Sequence, residues 1–180
     1  MNRALPVVVA LAALAAGCAR KEAPSPQPPA RPVSPSVVAP ESEIGGPRNY
    51  VTVASSIDRM IVRASELAQT RARDPRLRAF AQQLAKDHLS ISAQLSFAGR
   101  RLNQLPTGRL LDNHSARLAA LESSADFDAA YMREMSSSLS AALEYHSRYA
   151  RRGESPTLRP VARYAAQVID KNLRALRPLR

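Results

Sequence analysis

The sequence holds one cysteine in 180 residues, no tryptophan, six glycines and only 4% aromatic residues. A single cysteine excludes an internal disulfide framework and a four-cysteine zinc site. No G-x-G-x-x-G, Walker phosphate loop, H-E-x-x-H or G-x-S-x-G occurs, which removes the enzyme classes that those motifs announce. Acidic residues are also scarce: 15 Asp and Glu stand against 26 Lys and Arg, a formal net charge of +11. The length allows one domain with accessory segments.

The cysteine has a telling position. Met1-Asn2-Arg3 is followed by an apolar run from Ala4 to Ala16 and then by Gly17-Cys18. A basic start, a short apolar core and small residues before a cleavage point make an export signal, residues 1–18. The run is shorter than the ~20 residues a spanning helix needs. Its end, Leu14-Ala15-Ala16-Gly17-Cys18, resembles the lipobox of bacterial lipoproteins, with Ala15 in place of the commoner Leu. The resemblance implies that Cys18 is acylated and becomes the mature N-terminus. More than one acyl chain would anchor the protein stably to a membrane. Ala19 follows the cysteine where an inner-membrane lipoprotein carries Asp, so the expected site is the outer membrane, facing the periplasm.

Residues 19–48 carry eight of the 14 prolines. Proline lacks the backbone N–H and fixes φ, so this stretch reads as an extended tether of about 3.1 Å per residue. From Asn49 the pattern changes. Val53, Ile57, Met60, Ala64, Leu67 and Ala68 recur at helical spacing, and Asp74-Pro75 ends one helix and opens the next. Leu77, Phe80, Ala81, Leu84, His88, Ile91, Leu95, Ala98 and Leu102 form the apolar stripe of the second helix. A turn at 105–108 precedes a short helix or connection from Leu110 to Ser123. Phe127, Tyr131, Met135, Leu139, Ala142, Leu143, His146 and Ala150 mark a third long helix. Leu158, Val161, Ala165, Val168, Ile169, Asn172 and Leu176 mark a fourth. No stretch alternates with period two. The expectation is an all-α, antiparallel four-helix bundle over residues 49–180, with the longer link between its second and third long helices.

The run from Leu77 to His88, with Arg78, Phe80, Ala81, Leu84, Asp87 and His88 at its key positions, is joined by Phe127-Asp128-Ala129-Ala130-Tyr131 and by the helix from Leu158. Together they resemble the bacterial domain of unknown function 4142, a family of exported, ferritin-like four-helix bundles. The family tends to point a Glu or His inward from each long helix. By that resemblance the expected Glu falls near Ile61, one His near Leu139, another at Asn172, and His88 alone survives. A lone imidazole with an amide cannot hold a transition metal tightly, since two to four strong ligands are needed. No cofactor is therefore expected, with His88 as the weak metal position. His88 reads first as a buried imidazole hydrogen-bonded across the bundle, with Asn172 as its candidate partner. His146 reads as a part-buried polar tip and His114 as exposed.

From Asn49 onward 21 basic residues face 12 acidic ones. Arg71, Arg73, Arg76 and Arg78 crowd one interhelical turn, while Arg100-Arg101 and Arg151-Arg152 close two helices. These are the candidate anion-binding residues, although cations at helix C-termini also favour the macrodipole. Nucleic acid is not expected, because an exported chain with so few aromatics has neither the compartment nor the stacking platform. An anionic envelope component or an envelope protein fits better. Ser136-Ser137-Ser138 has no base at readable spacing, so no enzyme is expected. The leading reading is a lipid-anchored, non-enzymatic binding or scaffold bundle. The alternative is a ferritin-like metal-binding or stress-related module with a degenerate site at His88.

Overall fold

The structure, a computed structural model, describes residues 45–179; the signal, Cys18 and nearly all of the tether lie outside them. Five α-helices and a terminal 3₁₀ turn make up the described chain: α1 Pro47–Arg71, α2 Pro75–Arg101, α3 Asp112–Glu122, α4 Phe127–Arg152, α5 Arg159–Leu176, and the turn Arg177–Leu179. No strand occurs among the described residues.

The helix ends follow local chemistry. Pro47 supplies the first position of α1, two residues earlier than the expected start, because its missing N–H costs nothing there. Asp74 caps α2 by accepting the Arg76 N–H at 2.8 Å. At its other end α2 closes with Gln104 N–H donating to Gly99 O at 2.9 Å and Asn103 N–H to Arg100 O at 3.1 Å. This is the Schellman pattern, with Asn103 taking the left-handed residue at φ 54° that glycine usually fills. Gly99 lies inside the helix instead, where a Cβ would collide with the Gln104 carbonyl.

α1 packs mainly on α2 and α4 on α5, while α1–α4 and α2–α5 contacts close the ring. Tyr50 at the start of α1 stacks on Tyr149 near the end of α4, and Asp128 at the start of α4 binds the α1–α2 turn. The end of α2 shares a groove with the start of α5, and Leu179 after α5 shares another with Asp74 and Leu77. Every neighbouring pair is therefore antiparallel, and α3 is the crossover that returns the chain from the end of α2 to the start of α4. Leu84, Ile91, Leu95, Met135, Leu139, Leu158 and Ile169 fill the interior. Burial of each such side chain is worth about 1.5–3 kcal/mol. Among the described residues no helix is long and apolar enough to cross a membrane.

The bundle thus has two ends. One holds the α1–α2 turn and the start of α4; the other receives the chain from residue 45 into α1 and holds the ends of α2 and α4. They are called here the distal end and the entry end.

Candidate functional site in the bundle interior

The apolar stripes are interrupted by a buried polar cluster. Asp58 on α1 and His88 on α2 are both wholly buried, and His88 Nδ1 lies 2.8 Å from Asp58 Oδ1. The second oxygen, Oδ2, accepts from Ser92 Oγ at 3.2 Å. An ionised carboxylate only accepts, so His88 donates through Nδ1 and its other nitrogen points away from the pair. That Nε2 is buried with no hydrogen-bond partner among the described residues. The partner of His88 is thus Asp58 and not Asn172, whose Nδ2 is itself buried and unpartnered.

His146 on α4 is fully buried, not a part-buried tip. Its Nδ1 lies 2.9 Å from the Tyr50 hydroxyl, and its Nε2 also lacks a partner. Tyr50 stacks on Tyr149 at 3.7 Å between ring centroids and meets the His146 ring edge-on at 5.8 Å, which fixes the imidazole orientation. Burial pulls His146 down to about 4 from an ordinary 6.5, with Asp58 opposing that fall and His88 adding to it. Burial, and then the Asp58 charge, hold the Tyr50 phenol well above its usual range. Asp58 and His88 therefore share one electrostatic neighbourhood with His146, and Asp58 shares it with Tyr50. The imidazole of His146 is neutral at physiological pH and able to offer a lone pair.

Asp58 is the residue that the sequence pattern hides. The resemblance placed the inward acid near Ile61, where the structure has an apolar core residue; the carboxylate comes from one turn earlier. The signal was present, because Asp58 stands on the same three-and-four spacing as Ala54, Ile61 and Ser65. His114 is also buried, with Nδ1 at 2.6 Å from Ser56 Oγ, and the same hydroxyl accepts the Leu111 N–H at 2.8 Å. This pins the crossover to α1. Ser138 donates to Glu134 at 2.6 Å and accepts from Arg117 at 2.8 Å, which ties α4 to α3.

The candidate anion-binding arginines fall at opposite ends. At the distal end Arg71 donates to the carbonyls of Glu122 and Ser124 and lies over the Phe127 ring. Arg78 donates to the Ala72 and Arg73 carbonyls at 2.7 and 3.0 Å. Arg76 pairs with Asp74 at 2.9 Å, and this contact lowers the Asp74 carboxyl from its usual range. Arg73 gives its backbone N–H to Asp128. At the entry end Arg100, Arg101, Arg151 and Arg152 are exposed, and no ion pair engages them among the described residues.

A family model described as Domain of unknown function (DUF4142) matches residues 34–179. The chain belongs to the DUF4142 family. Two solved structures share its fold. "CopM in the Cu(II)-bound form" has a TM-score of 0.63 and 14% identity, covering 75% of this chain and 95% of that one. "CopM in the Cu(I)-bound form" has a TM-score of 0.62 with the same identity and coverage. No curated protein matches the chain. Within this DUF4142 domain, no group of three or more His, Cys, Asp or Glu is arranged to hold a metal ion among the described residues. Both Asp58 oxygens are already engaged. Among the described residues, the buried unpartnered nitrogens able to offer a lone pair are the two imidazole Nε2 atoms.

Proposed function

We propose that this DUF4142 protein is a lipid-anchored, non-enzymatic envelope protein whose bundle interior binds a single soft metal ion, cuprous copper above all. The observation that carries this reading is the pair of buried, unpartnered Nε2 atoms on His88 and His146. An unsatisfied buried polar nitrogen costs about 1–3 kcal/mol, and two in one apolar core are a standing demand for a ligand. The residues fit the group in kind. Imidazole suits copper, and Cu(I), a singly charged ion, accepts two ligands where structural zinc takes four. The Asp58 carboxylate bound to His88 Nδ1 has the form of the outer-shell contact that orients a metal-ligating imidazole and raises its basicity. Tyr50 holds the His146 ring in the same way. In this reading Asp58 and Tyr50 position the rings, and the Nε2 atom of each ring supplies a lone pair. The two similar structures are copper-bound forms of CopM, which agrees with this choice, although the likeness itself is one of fold.

The test is anaerobic titration of purified, chelator-treated protein with Cu(I) against a chromophoric competitor. One ion per chain is expected, with binding lost in both His88→Ala and His146→Ala. Asp58→Asn, which keeps an acceptor but no charge, should weaken affinity about 10- to 100-fold. Unchanged affinity in the two histidine variants would overturn the reading. The anchor has its own test: Cys18→Ser should release the protein from the membrane fraction.

A second reading, an anionic partner at the surface, is favoured by the four exposed arginines of the entry end, which no ion pair engages among the described residues.

A further inference from the structure

The entry end combines three features. Arg100 and Arg101 occupy the last turn of α2, and Arg151 and Arg152 the last turn of α4. All four are exposed and outside any ion pair among the described residues. Two of the few large apolar side chains that the bundle exposes lie with them: Phe97, one turn before Arg101, at 65%, and Leu105, just after α2, at 60%. The chain also enters the bundle here, since Gly46 lies beside Glu154 and Val51 beside Gly99. The segment leading back toward Cys18 therefore joins this end and not the other.

We propose that the entry end is a membrane-facing surface that docks on anionic phospholipid, with the four arginines over the headgroup phosphates and Phe97 and Leu105 at the acyl boundary. The proposal rests on the anchored reading above and adds to it an orientation. Guanidinium groups suit phosphate through charge-assisted, bidentate contacts. Macrodipole compensation explains a cation at each helix end, but it gives no reason for an exposed phenylalanine beside two of them. Exposed apolar side chains among cations are the pattern of an interfacial contact, in which apolar burial and attraction to anionic lipid add. A soluble polyanion would use the arginines and leave Phe97 idle. A tether holds the domain at high effective concentration near the surface, so even a weak docking contact is occupied.

The test uses full-length protein carrying Cys18→Ser, so that no lipid contributes, sedimented with vesicles. It should pellet with phosphatidylglycerol-containing vesicles, remain free with pure phosphatidylcholine, and be released by salt. Each arginine near an anionic surface is worth about fivefold in partitioning. Arg100→Glu with Arg101→Glu, or Arg151→Glu with Arg152→Glu, should therefore lower binding roughly 25-fold or more. Phe97→Ser should lower it severalfold, and Arg133→Glu with Arg177→Glu, toward the distal end, should leave it unchanged. Should a glutamate pair fail to fold, the glutamine pair gives the same readout with a smaller drop. Equal binding to neutral vesicles, equal loss from the distal pair, or binding to soluble polyphosphate but not to vesicles would each overturn the proposal. Because this protein is unlipidated, an absent acyl chain on Cys18 in cells would overturn the anchor reading alone.

Discussion

The two ends of the bundle are built from the same residue type and put it to different uses. At the distal end Arg71, Arg76 and Arg78 are tied to carbonyls or to Asp74, and Asp128 clamps the α1–α2 turn. Nearby inside, Ser65 and Tyr131 satisfy each other at 3.1 Å. At the entry end the arginines have no ion pair among the described residues, and the interior next to Tyr50 holds a histidine with one nitrogen unsatisfied there. The basic composition is therefore no single property. The distal end closes the fold, and the entry end carries chemistry that the fold leaves unmet.

The unmet interior should carry the greatest loss of stability. His146 titrates near 6.5 when unfolded and at about 4 when buried. Between those values the unfolded chain binds a proton that the folded chain refuses, so stability is full above pH 6.5 and falls as pH drops toward 4. At about 1.4 kcal/mol per pH unit, that window is worth about 3 kcal/mol in metal-free protein. Asp58 and His88 bear on the ring and Tyr50 and Tyr145 meet it edge-on, so the comparison must be made against a variant. Denaturant melts of His146→Gln, which keeps a partner for Tyr50, should lose this slope between pH 6.5 and 4. An unchanged slope would place the acid sensitivity elsewhere and remove the contrast between the two halves of the core.

The distal clamp comes next. Asp128 accepts the Arg73 N–H at 3.0 and 3.1 Å and the Asp74 N–H at 3.0 Å. Hydrogen bonds to a charged group contribute about 1.5–3 kcal/mol. Asp128→Ala should therefore cost about 2 kcal/mol, a fall in Tm on the order of 8 °C for a domain of this size. Asp128→Asn should recover part of it. A loss under about 0.5 kcal/mol would mean that the turn is held by its helices alone, and that the distal end is no better tied than the other.

Much of this architecture could be read directly. Asp74-Pro75 and Ser124-Ala125-Asp126 carry local cap chemistry, and local chemistry is what a sequence displays. His88 was legible because it stands on an otherwise apolar stripe. Its true partner was less plain: Asp58 stands on the inward three-and-four spacing of α1, but only packing against α2 pairs it with His88. His114 was misjudged as exposed for the same reason, since its burial depends on α3 lying across α1. The division between the ends was the least legible. Arg71 is engaged only because the crossover brings the carbonyls of Glu122 and Ser124 back to it from some fifty residues away.

That engagement sets the smallest and most discriminating prediction. Arg71 donates to two carbonyls and lies 4.6 Å from the Phe127 ring centre, so Arg71→Ala should cost about 1 kcal/mol. Arg100→Ala with Arg101→Ala, and Arg151→Ala with Arg152→Ala, lose only screened macrodipole compensation at exposed helix ends. Near 0.15 M salt each pair should cost no more than about 0.5 kcal/mol. Raising the salt should shrink the entry-end effects further and leave the Arg71 effect largely in place, because the latter is contact and not field. If the entry-end pairs proved as costly as Arg71, those arginines would be holding the bundle together, and their exposure would need no membrane to explain it.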